Sequence, residues 1–190
     1  MHRYRKEDFA TANIRQLLEP GPVVLVSTRW QEGADDETDI MTMGWHMMVE
    51  FAPALVACII APGNRSHELV RRSRECVINL PTFELIDTVV GIGNTSGTDV
   101  DKFAHFGLTA DAASQVKAPL IRECYANFEC RLHDDALADK YGMFVWEVVK
   151  AHVAVSPKTP ETIHYRGDGQ FMVAGRQVSR RGAFKPAMLP

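Results

Sequence analysis

Residues 61–68 bring together groups that could bind a phosphate. Asn64, Arg65 and Ser66 supply an amide, a guanidinium and a hydroxyl after an apolar run, where a helical pattern begins. The first turn of a helix favours anions, because its N–H groups lack intrahelical partners and carry the positive end of the helix dipole. Ser66 is the predicted N-cap of a helix from Ser66 to Arg74. An ordinary capped helix with a solvated Arg65 explains the same residues, and the segment alone favours that simpler interpretation.

A second candidate site is the strand-like stretch 39–46, which begins with Asp39. Alternation places Met41, Met43 and Trp45 on one face of the strand and Thr42, Gly44 and His46 on the other. A glycine inside a strand often marks the close approach of a ligand, and an indole beside it can pack on a flat ring. Packing in an ordinary core explains the pattern about equally well.

A third candidate is the glycine- and hydroxyl-rich loop 93–98, which contains Ser96 and Gly97 and is followed by Lys102 and Phe103. Lys102 could add a second cation to an anion held at Arg65. An ordinary solvated loop is the alternative, and the loop considered alone favours it.

Composition argues against several classes of function. The net charge is −3, and the basic residues are scattered apart from short clusters at 71–74 and 180–181, so no nucleic-acid partner is predicted. The seven histidines form no HxxxH or HxH pair, so no metal site is predicted. Motifs for a serine nucleophile, a P-loop and a Rossmann unit are also missing from the sequence.

The four cysteines are widely spaced and form no CxxC pair. Cys58 and Cys76 lie inside apolar runs, so the sequence predicts reduced, buried thiols and a cytoplasmic location. The first residues lack the apolar core of a signal peptide, and no apolar run reaches the roughly 18 residues that a membrane helix needs.

The elements that must position these residues are mainly strands, with helices inserted as connections rather than in regular alternation. An amphipathic helix is expected over Glu7 to Leu18, and strands over Val23 to Thr28, Ile40 to Val49, Leu55 to Ile60 and Cys76 to Leu80, with a polar hairpin loop at Gln31 to Thr38. Helices are predicted over Phe83 to Ile92 and Asp99 to Phe106, a long hairpin over Cys124 to His133 and Met143 to Val155, a short hairpin over Ile163 to Tyr165 and Phe171 to Val173, and a loosely held tail from Arg180. Seven or eight strands with helical connections favour an antiparallel barrel over a doubly wound parallel sheet.

The order of the motifs resembles the flavin reductase-like, FMN-binding split-barrel family, and above all its flavoredoxin branch. The matching segments are the strand that ends in Trp45, then 64–66, 77–81, 96–103, 118–123 and 128–130. The resemblance covers about Gly21 to Val173. A single domain over 1–190 is therefore expected, with a barrel core at about 21–175 and the N-terminal helix and C-terminal tail as extensions.

The resemblance implies a mainly β, Greek-key split barrel with helical insertions, which forms a homodimer and holds FMN non-covalently near the subunit interface. Trp45 would lie beside the isoalloxazine ring, the turn at Arg65 would take the phosphate, and Lys102 would add charge there or at the ribityl chain. The implied cofactor-binding residues are Asp39, Met43, Gly44, Trp45, His46, Asn64, Arg65, Ser66, Asn79, Ser96, Gly97, Lys102, Phe103, Tyr141 and Phe171.

Three positions depart from the family pattern. Asp39 stands where the family often has Asn, and an ionised carboxylate accepts hydrogen bonds but does not donate them. Tyr141 stands for a His that the family associates with flavin and nicotinamide handling, and Trp146 stands for a Gly. The change at Tyr141 weakens the case for efficient NAD(P)H oxidation.

The leading hypothesis is a cytoplasmic FMN-binding oxidoreductase. It is either a flavin reductase that uses NAD(P)H as a transient reductant or a flavoredoxin-like electron carrier that serves a redox partner protein. No catalytic acid or base is assigned, because the flavin itself accepts the hydride. A non-catalytic flavin-binding or sensing module is the second hypothesis. A split-barrel enzyme with haem is the third, although the histidines lack an axial-ligand context.

Overall fold

A computed structural model describes residues 21–183, 185 and 187, which form mainly β-structure. The strands are β1 (Val24–Glu32), β2 (Asp35–Met43), β3 (His46–Glu50), β4 (Leu55–Ile59), β5 (Glu75–Leu80), β6 (Ala110–Asp111), β7 (Leu120–Ile121), β8 (Ala126–Asp134), β9 (Met143–Val153), β10 (Ile163–Tyr165) and β11 (Phe171–Val173). The helices are α1 (Arg65–Ser73), α2 (Ile86–Gly93), α3 (Lys102–His105) and α4 (Ala138–Tyr141), with 3₁₀ turns at Phe83–Leu85 and Arg181–Ala183. The expectation of strands with helical insertions is confirmed.

Seven of the described strands form one antiparallel sheet in the order β2-β1-β5-β8-β9-β4-β3. Its two edge strands, β2 and β3, are consecutive in the chain and are joined only by Gly44 and Trp45. From Met43 to His46 the chain can reach at most about 10 Å. The two edges of the sheet must therefore approach each other at this point, which curls the sheet toward a barrel.

The described hairpins refine the expected strands. The predicted loop at Gln31 to Thr38 is wrong, because β1 and β2 pair continuously as far as Glu32 and Asp35 and turn at Gly33, which has φ of +62°. The polar residues at this exposed end of β1 and β2 are paired with each other across the two strands and do not form a loop. The hairpin of β10 and β11 has the predicted bounds.

The single strand predicted over Ile40 to Val49 is also wrong, because it is broken at Gly44 and Trp45 into β2 and β3. Since these strands lie at opposite edges of the sheet, the simple alternation of faces predicted through Trp45 does not hold across the break. The predicted helix over Glu7 to Leu18 lies outside the described residues. The described part of the tail contains the 3₁₀ turn Arg181–Ala183.

The core inside the curled sheet is built around Phe144 and Trp146, whose rings stack with centroids 5.9 Å apart. All four cysteines are buried and free, as the sequence predicts. Burial raises the pKa of the Cys58 and Cys76 thiols, so both stay protonated near neutral pH. A second cluster packs α2 against the strands, with Ile40, Val89 and other side chains fully buried.

A buried carboxylate fastens the connection between β6 and β7 to the sheet. Glu129 of β8 is fully buried and accepts hydrogen bonds from the backbone N–H groups of Ser114, Gln115 and Val116. Its carboxylate also lies 2.7 Å from Nε2 of His152. Burial alone disfavours the charged form, but the hydrogen bonds from His152, Ser114 and Gln115 outweigh it and lower the pKa of Glu129 to about 2.

The hydrogen bonds of Glu129, which together act as a clamp on the connection between β6 and β7, predict that the stability of the protein falls in acid. Because the pKa of Glu129 is lower in the folded protein than in the unfolded chain, its contribution to stability is present above pH 5 and is lost as the pH falls toward 2. We expect Glu129→Gln to lower the free energy of unfolding by about 3 kcal/mol at pH 7 and by much less near pH 2. Urea unfolding monitored by tryptophan fluorescence at both pH values measures the difference.

The matched control is Glu147→Gln, which removes a half-exposed carboxylate from the neighbouring strand β9. It should change the free energy of unfolding by less than about 0.5 kcal/mol at either pH. Equal losses in the two variants would show that Glu129 is not a clamp.

Candidate functional site

An apolar cavity of about 680 Å³ lies where β2 ends and the link to β3 begins. Its lining residues are Val23, Met41, Thr42, Met43, Gly44, Trp45, Ile59, Ala61, Asn64, Val89, Val90, Gly93, Asn94, Tyr165, Gly169 and Phe171. Trp45 is about half exposed, at 54%, and the hydroxyl of Thr42 donates a 2.6 Å hydrogen bond to the carbonyl of Val89. That bond fixes α2 against β2. The cavity volume lies within the roughly 300–1,000 Å³ of typical small-molecule sites.

An ionic groove of about 940 Å³ lies beside the cavity. Its lining residues are Arg29, Asp36, Glu37, Thr38, Arg65, Leu69, Gly97, Thr98, Asp99, Val100, Asp101, Phe103, Ala110 and Pro119. Arg29 forms an ion pair with Asp36, and Arg65 forms ion pairs with Glu37 and Glu68. Hydrogen bonding from Arg29 lowers the pKa of Asp36, so this carboxylate is ionised at neutral pH.

The apolar cavity and the ionic groove adjoin at the N-terminus of α1. Asn64 lines the cavity, and the next residue, Arg65, lines the groove. Asn64 occupies the N-cap position with extended backbone, and its side chain makes no capping hydrogen bond within the described structure. The positive end of the helix dipole therefore faces this boundary, together with the guanidinium of Arg65.

A buried polar node at the first turn of α1 is formed by Asp39, Ser66 and Lys102. The hydroxyl of Ser66 donates a 2.7 Å hydrogen bond to Oδ2 of Asp39, and Nζ of Lys102 lies 3.0 Å from Oδ1. Nζ of Lys102 also donates a 2.5 Å hydrogen bond to the carbonyl of Ile40. The node ties α1 and α3 to β2. The prediction that Ser66 caps its helix is wrong, because its hydroxyl is used by Asp39 instead.

The loop before α3 presses directly on the node. A Cβ atom at Gly97 would overlap the buried carboxylate of Asp39, so a larger residue would force that carboxylate to move. Oδ1 is close enough to Lys102 for an ion pair, but among the described residues it has no hydrogen-bond donor in suitable geometry. Two oppositely charged groups 3.0 Å apart and out of water attract strongly whatever their hydrogen-bond angle.

Eight of the fifteen predicted site residues line one of the two spaces, and three form the node. Met43, Gly44, Trp45, Asn64 and Phe171 line the apolar cavity, whereas Arg65, Gly97 and Phe103 line the ionic groove. Lys102 is buried against Asp39, so its ammonium group is directed into the protein rather than into either space.

The other four predicted residues line neither space. Asn79 is fully buried, and its side chain bonds Leu25, Ser27, Ile121 and Asn127, so it joins strands inside the fold. That network uses both ends of its amide and leaves no group to reach a ligand.

His46, Ser96 and Tyr141 also have other contacts. Nε2 of His46 lies 2.7 Å from the carbonyl of Pro22, and the hydroxyls of Ser96 and Thr98 lie 2.7 Å apart. Tyr141 is more than half exposed on α4, with the ammonium of Lys140 over its ring.

Sequence reasoning missed the acidic wall of the groove and the helical wall of the cavity. Glu37 lies in the segment predicted as a polar hairpin loop, and the pairing of β1 with β2 instead presents it to Arg65. Val89, Val90 and Asn94 carry no chemistry that singles them out, and only the position of α2 brings them to the cavity.

Two expected exclusions concern metals and membranes. In the part of the chain that the structure describes, no three His, Cys, Asp or Glu side chains are grouped as metal ligands. No helix within the described ranges combines the length and the apolar character needed to cross a membrane.

Comparison with known proteins matches residues 17–171 to the family described as "Flavin reductase like domain". A protein of Archaeoglobus fulgidus is 32% identical over 114 residues, a match that covers 60% of this chain and 64% of that protein, which is under two thirds of its length. The fold is similar to an FMN-binding domain of a flavin reductases-like enzyme from Shewanella baltica, with a TM-score of 0.75, 24% identity and coverage of 90% and 95% of the two chains. It is also similar to flavoredoxin from Methanosarcina acetivorans, with a TM-score of 0.78, 18% identity and coverage of 98% and 100%. The expected split-barrel fold is confirmed.

The buried ion pair generates a prediction on stability. Lys102→Met leaves the carboxylate of Asp39 buried without its cation, so we expect the free energy of unfolding to fall by about 3–5 kcal/mol. Adding Asp39→Asn removes the unpaired buried charge, so the double variant should regain a large part of the lost free energy of unfolding. Urea unfolding of the two single variants and the double variant measures the coupling.

Arg71→Met is the matched control, because it removes an exposed ion pair with Asp139 on the surface. Its expected cost is about 0–1 kcal/mol. Additive losses for Asp39→Asn and Lys102→Met would contradict the coupling.

Proposed function

Because this chain belongs to the flavin reductase-like family, we propose that it is an FMN-binding flavoprotein of the oxidoreductase type. The observation that carries the proposal is the boundary at α1, where Asn64 faces an apolar cavity and Arg65 faces an ionic groove. A ligand with a flat apolar ring system and a terminal phosphate matches this pair of spaces.

The residues present fit FMN at both ends. Trp45 and Phe171 offer aromatic surface to an isoalloxazine ring in the apolar cavity, and Gly44 leaves the backbone accessible beside them. At the other end, the N-terminus of α1 and the guanidinium of Arg65 suit a phosphate. FMN would be held non-covalently and, when bound, would supply a hydride acceptor at N5.

The protein's own contribution is binding and positioning. Apolar side chains from β2 and α2 keep water from one face of the cavity, and the node of Asp39, Ser66 and Lys102 holds the start of α1 in place. We therefore propose that Ser66 and Lys102 act on the flavin through the position of α1 rather than by direct contact. No general acid or base is assigned.

The electron donor is proposed to be NAD(P)H or a reduced redox partner protein. Tyr141 stands where the family has a His, and in this structure it lies outside both spaces. This placement supports a flavoredoxin-like carrier over an efficient NAD(P)H-dependent reductase, with a non-catalytic flavin-binding module as the second candidate. The four free thiols support a cytoplasmic location.

Arg65→Ala tests where the phosphate lies. Because only FMN carries a phosphate, we expect the variant to bind FMN about tenfold more weakly and riboflavin with an unchanged Kd. Quenching of flavin fluorescence, titrated at one ionic strength, gives both constants.

Equal losses for FMN and riboflavin would show that the phosphate lies elsewhere.

Anaerobic reduction of the FMN-loaded protein distinguishes the carrier from the reductase. As a carrier it should keep the visible absorbance of its oxidised flavin with NADH and NADPH and lose it with dithionite, whereas rapid bleaching by either nucleotide identifies a reductase.

The expected homodimer is supported by the exposed edge of the sheet. Strand β3 has β4 on one side, and Met47, Met48 and Phe51 in and beside it are 62%, 56% and 88% exposed. Such a surface beside Trp45 is costly in water and is typical of an interface. We propose that a second copy of the chain covers it and borders the flavin site.

Met48→Glu tests the dimer, because a carboxylate at an apolar interface opposes association. The wild type should sediment with twice the 21.2 kDa mass of the chain, and the variant with the mass of one chain at micromolar concentration. Leu137→Glu, at an exposed position before α4, should remain dimeric. A monomeric wild type would contradict the proposal.

A further inference from the structure

The guanidinium of Arg65 already has anionic partners. It forms ion pairs with Glu37 of β2 and with Glu68 of its own helix. Both members of the pair with Glu37 are partly buried, with side-chain exposures of 23% and 35%. A phosphate that approaches Arg65 therefore meets a carboxylate at the same donor groups.

The other charged residues of the ionic groove do not neutralise the negative charge of Glu37. The lining of the ionic groove contains the carboxylates of Asp36, Glu37, Asp99 and Asp101, against two guanidinium groups. Arg29, the other guanidinium, is paired with Asp36. The groove thus holds more carboxylates than guanidinium groups, so a phosphate that binds Arg65 competes with carboxylates for that guanidinium.

Glu37 is held at this position by the sheet. Its Cα is paired with that of Trp30 in the ladder of β1 and β2, two residues before the buried Asp39. An intramolecular carboxylate loses little translational and rotational freedom when it binds Arg65, whereas a free ligand loses much more.

We propose that Glu37 is an internal competitor for the phosphate of FMN. It pairs with Arg65 when no phosphate is bound and must give up that pair when FMN enters, so it selectively weakens FMN relative to riboflavin. This inference rests on the proposed flavin function.

Glu37→Gln tests the competition, with Asp36→Asn as the matched control. Both variants remove one negative charge from adjacent positions in the same groove, but Asp36 pairs with Arg29 instead of Arg65. We expect Glu37→Gln to lower the Kd for FMN at least about fivefold and leave the Kd for riboflavin within about twofold. Asp36→Asn should change the Kd for FMN by less than about twofold.

The same substitution in the Arg65→Ala variant tests whether the effect depends on the ion pair between Glu37 and Arg65. In Arg65→Ala, which lacks the contested guanidinium, adding Glu37→Gln should improve FMN binding much less than it does in the wild type. Flavin fluorescence titrations at one ionic strength measure all the constants, and circular dichroism verifies the fold of each variant. If Glu37→Gln impairs folding, Glu37→Ala replaces it.

Three outcomes overturn the inference. Equal tightening by Glu37→Gln and Asp36→Asn would mean that only the overall charge of the groove matters. Unchanged FMN binding by Glu37→Gln, with both flavins still bound, would reject the competition and leave the proposed function intact. Failure of the wild type to bind either flavin would reject both.

Discussion

The ion pair between Asp39 and Lys102 is the contact on which the geometry of the candidate site depends. It joins β2 to α3, and the hydroxyl of Ser66 extends it to the first turn of α1. These segments are 27 or more residues apart in the chain. A buried carboxylate is costly without its partners. Movement of any one segment would leave the carboxylate of Asp39 buried without a partner. The start of α1 is therefore fixed relative to β2.

The short link between the edge strands imposes a second constraint. Gly44 and Trp45 must connect β2 to β3 while the sheet curls between them, so the indole is placed at the mouth of the apolar cavity by backbone connectivity. The same curl leaves β3 as an edge with exposed methionines. Cavity and apolar edge are thus two consequences of one closure.

Local signals in the sequence predicted much of the fold. Apolar alternation and turn glycines gave the correct bounds for the hairpin of β10 and β11, and the order of the motifs gave the family. The wrong predictions for single residues concern which partner a polar side chain binds. Ser66 is a good N-cap by type, but Asp39 takes its hydroxyl, and Asn79 matches a family motif yet is used to join strands. Such choices depend on residues far away in the chain, which local patterns do not contain.

Two of the three expected departures from the family pattern, Tyr141 and Trp146, lie away from the cavity and the groove. Trp146, which the resemblance implies stands in place of a Gly, is fully buried against Phe144 and fills the core of the barrel. Tyr141 lies on α4 with its ring mostly in solvent. Neither residue lines the cavity or the groove, so the chemistry of a bound flavin would be set by the surfaces that hold it. In the proposed complex the groove would act on the phosphate through Arg65, Glu37 and the dipole of α1, whereas the cavity would act on the ring mainly through apolar and aromatic contact. Binding strength and redox behaviour would then be tuned at opposite ends of the ligand, and substitutions at one end can change exchange without altering electron transfer at the other.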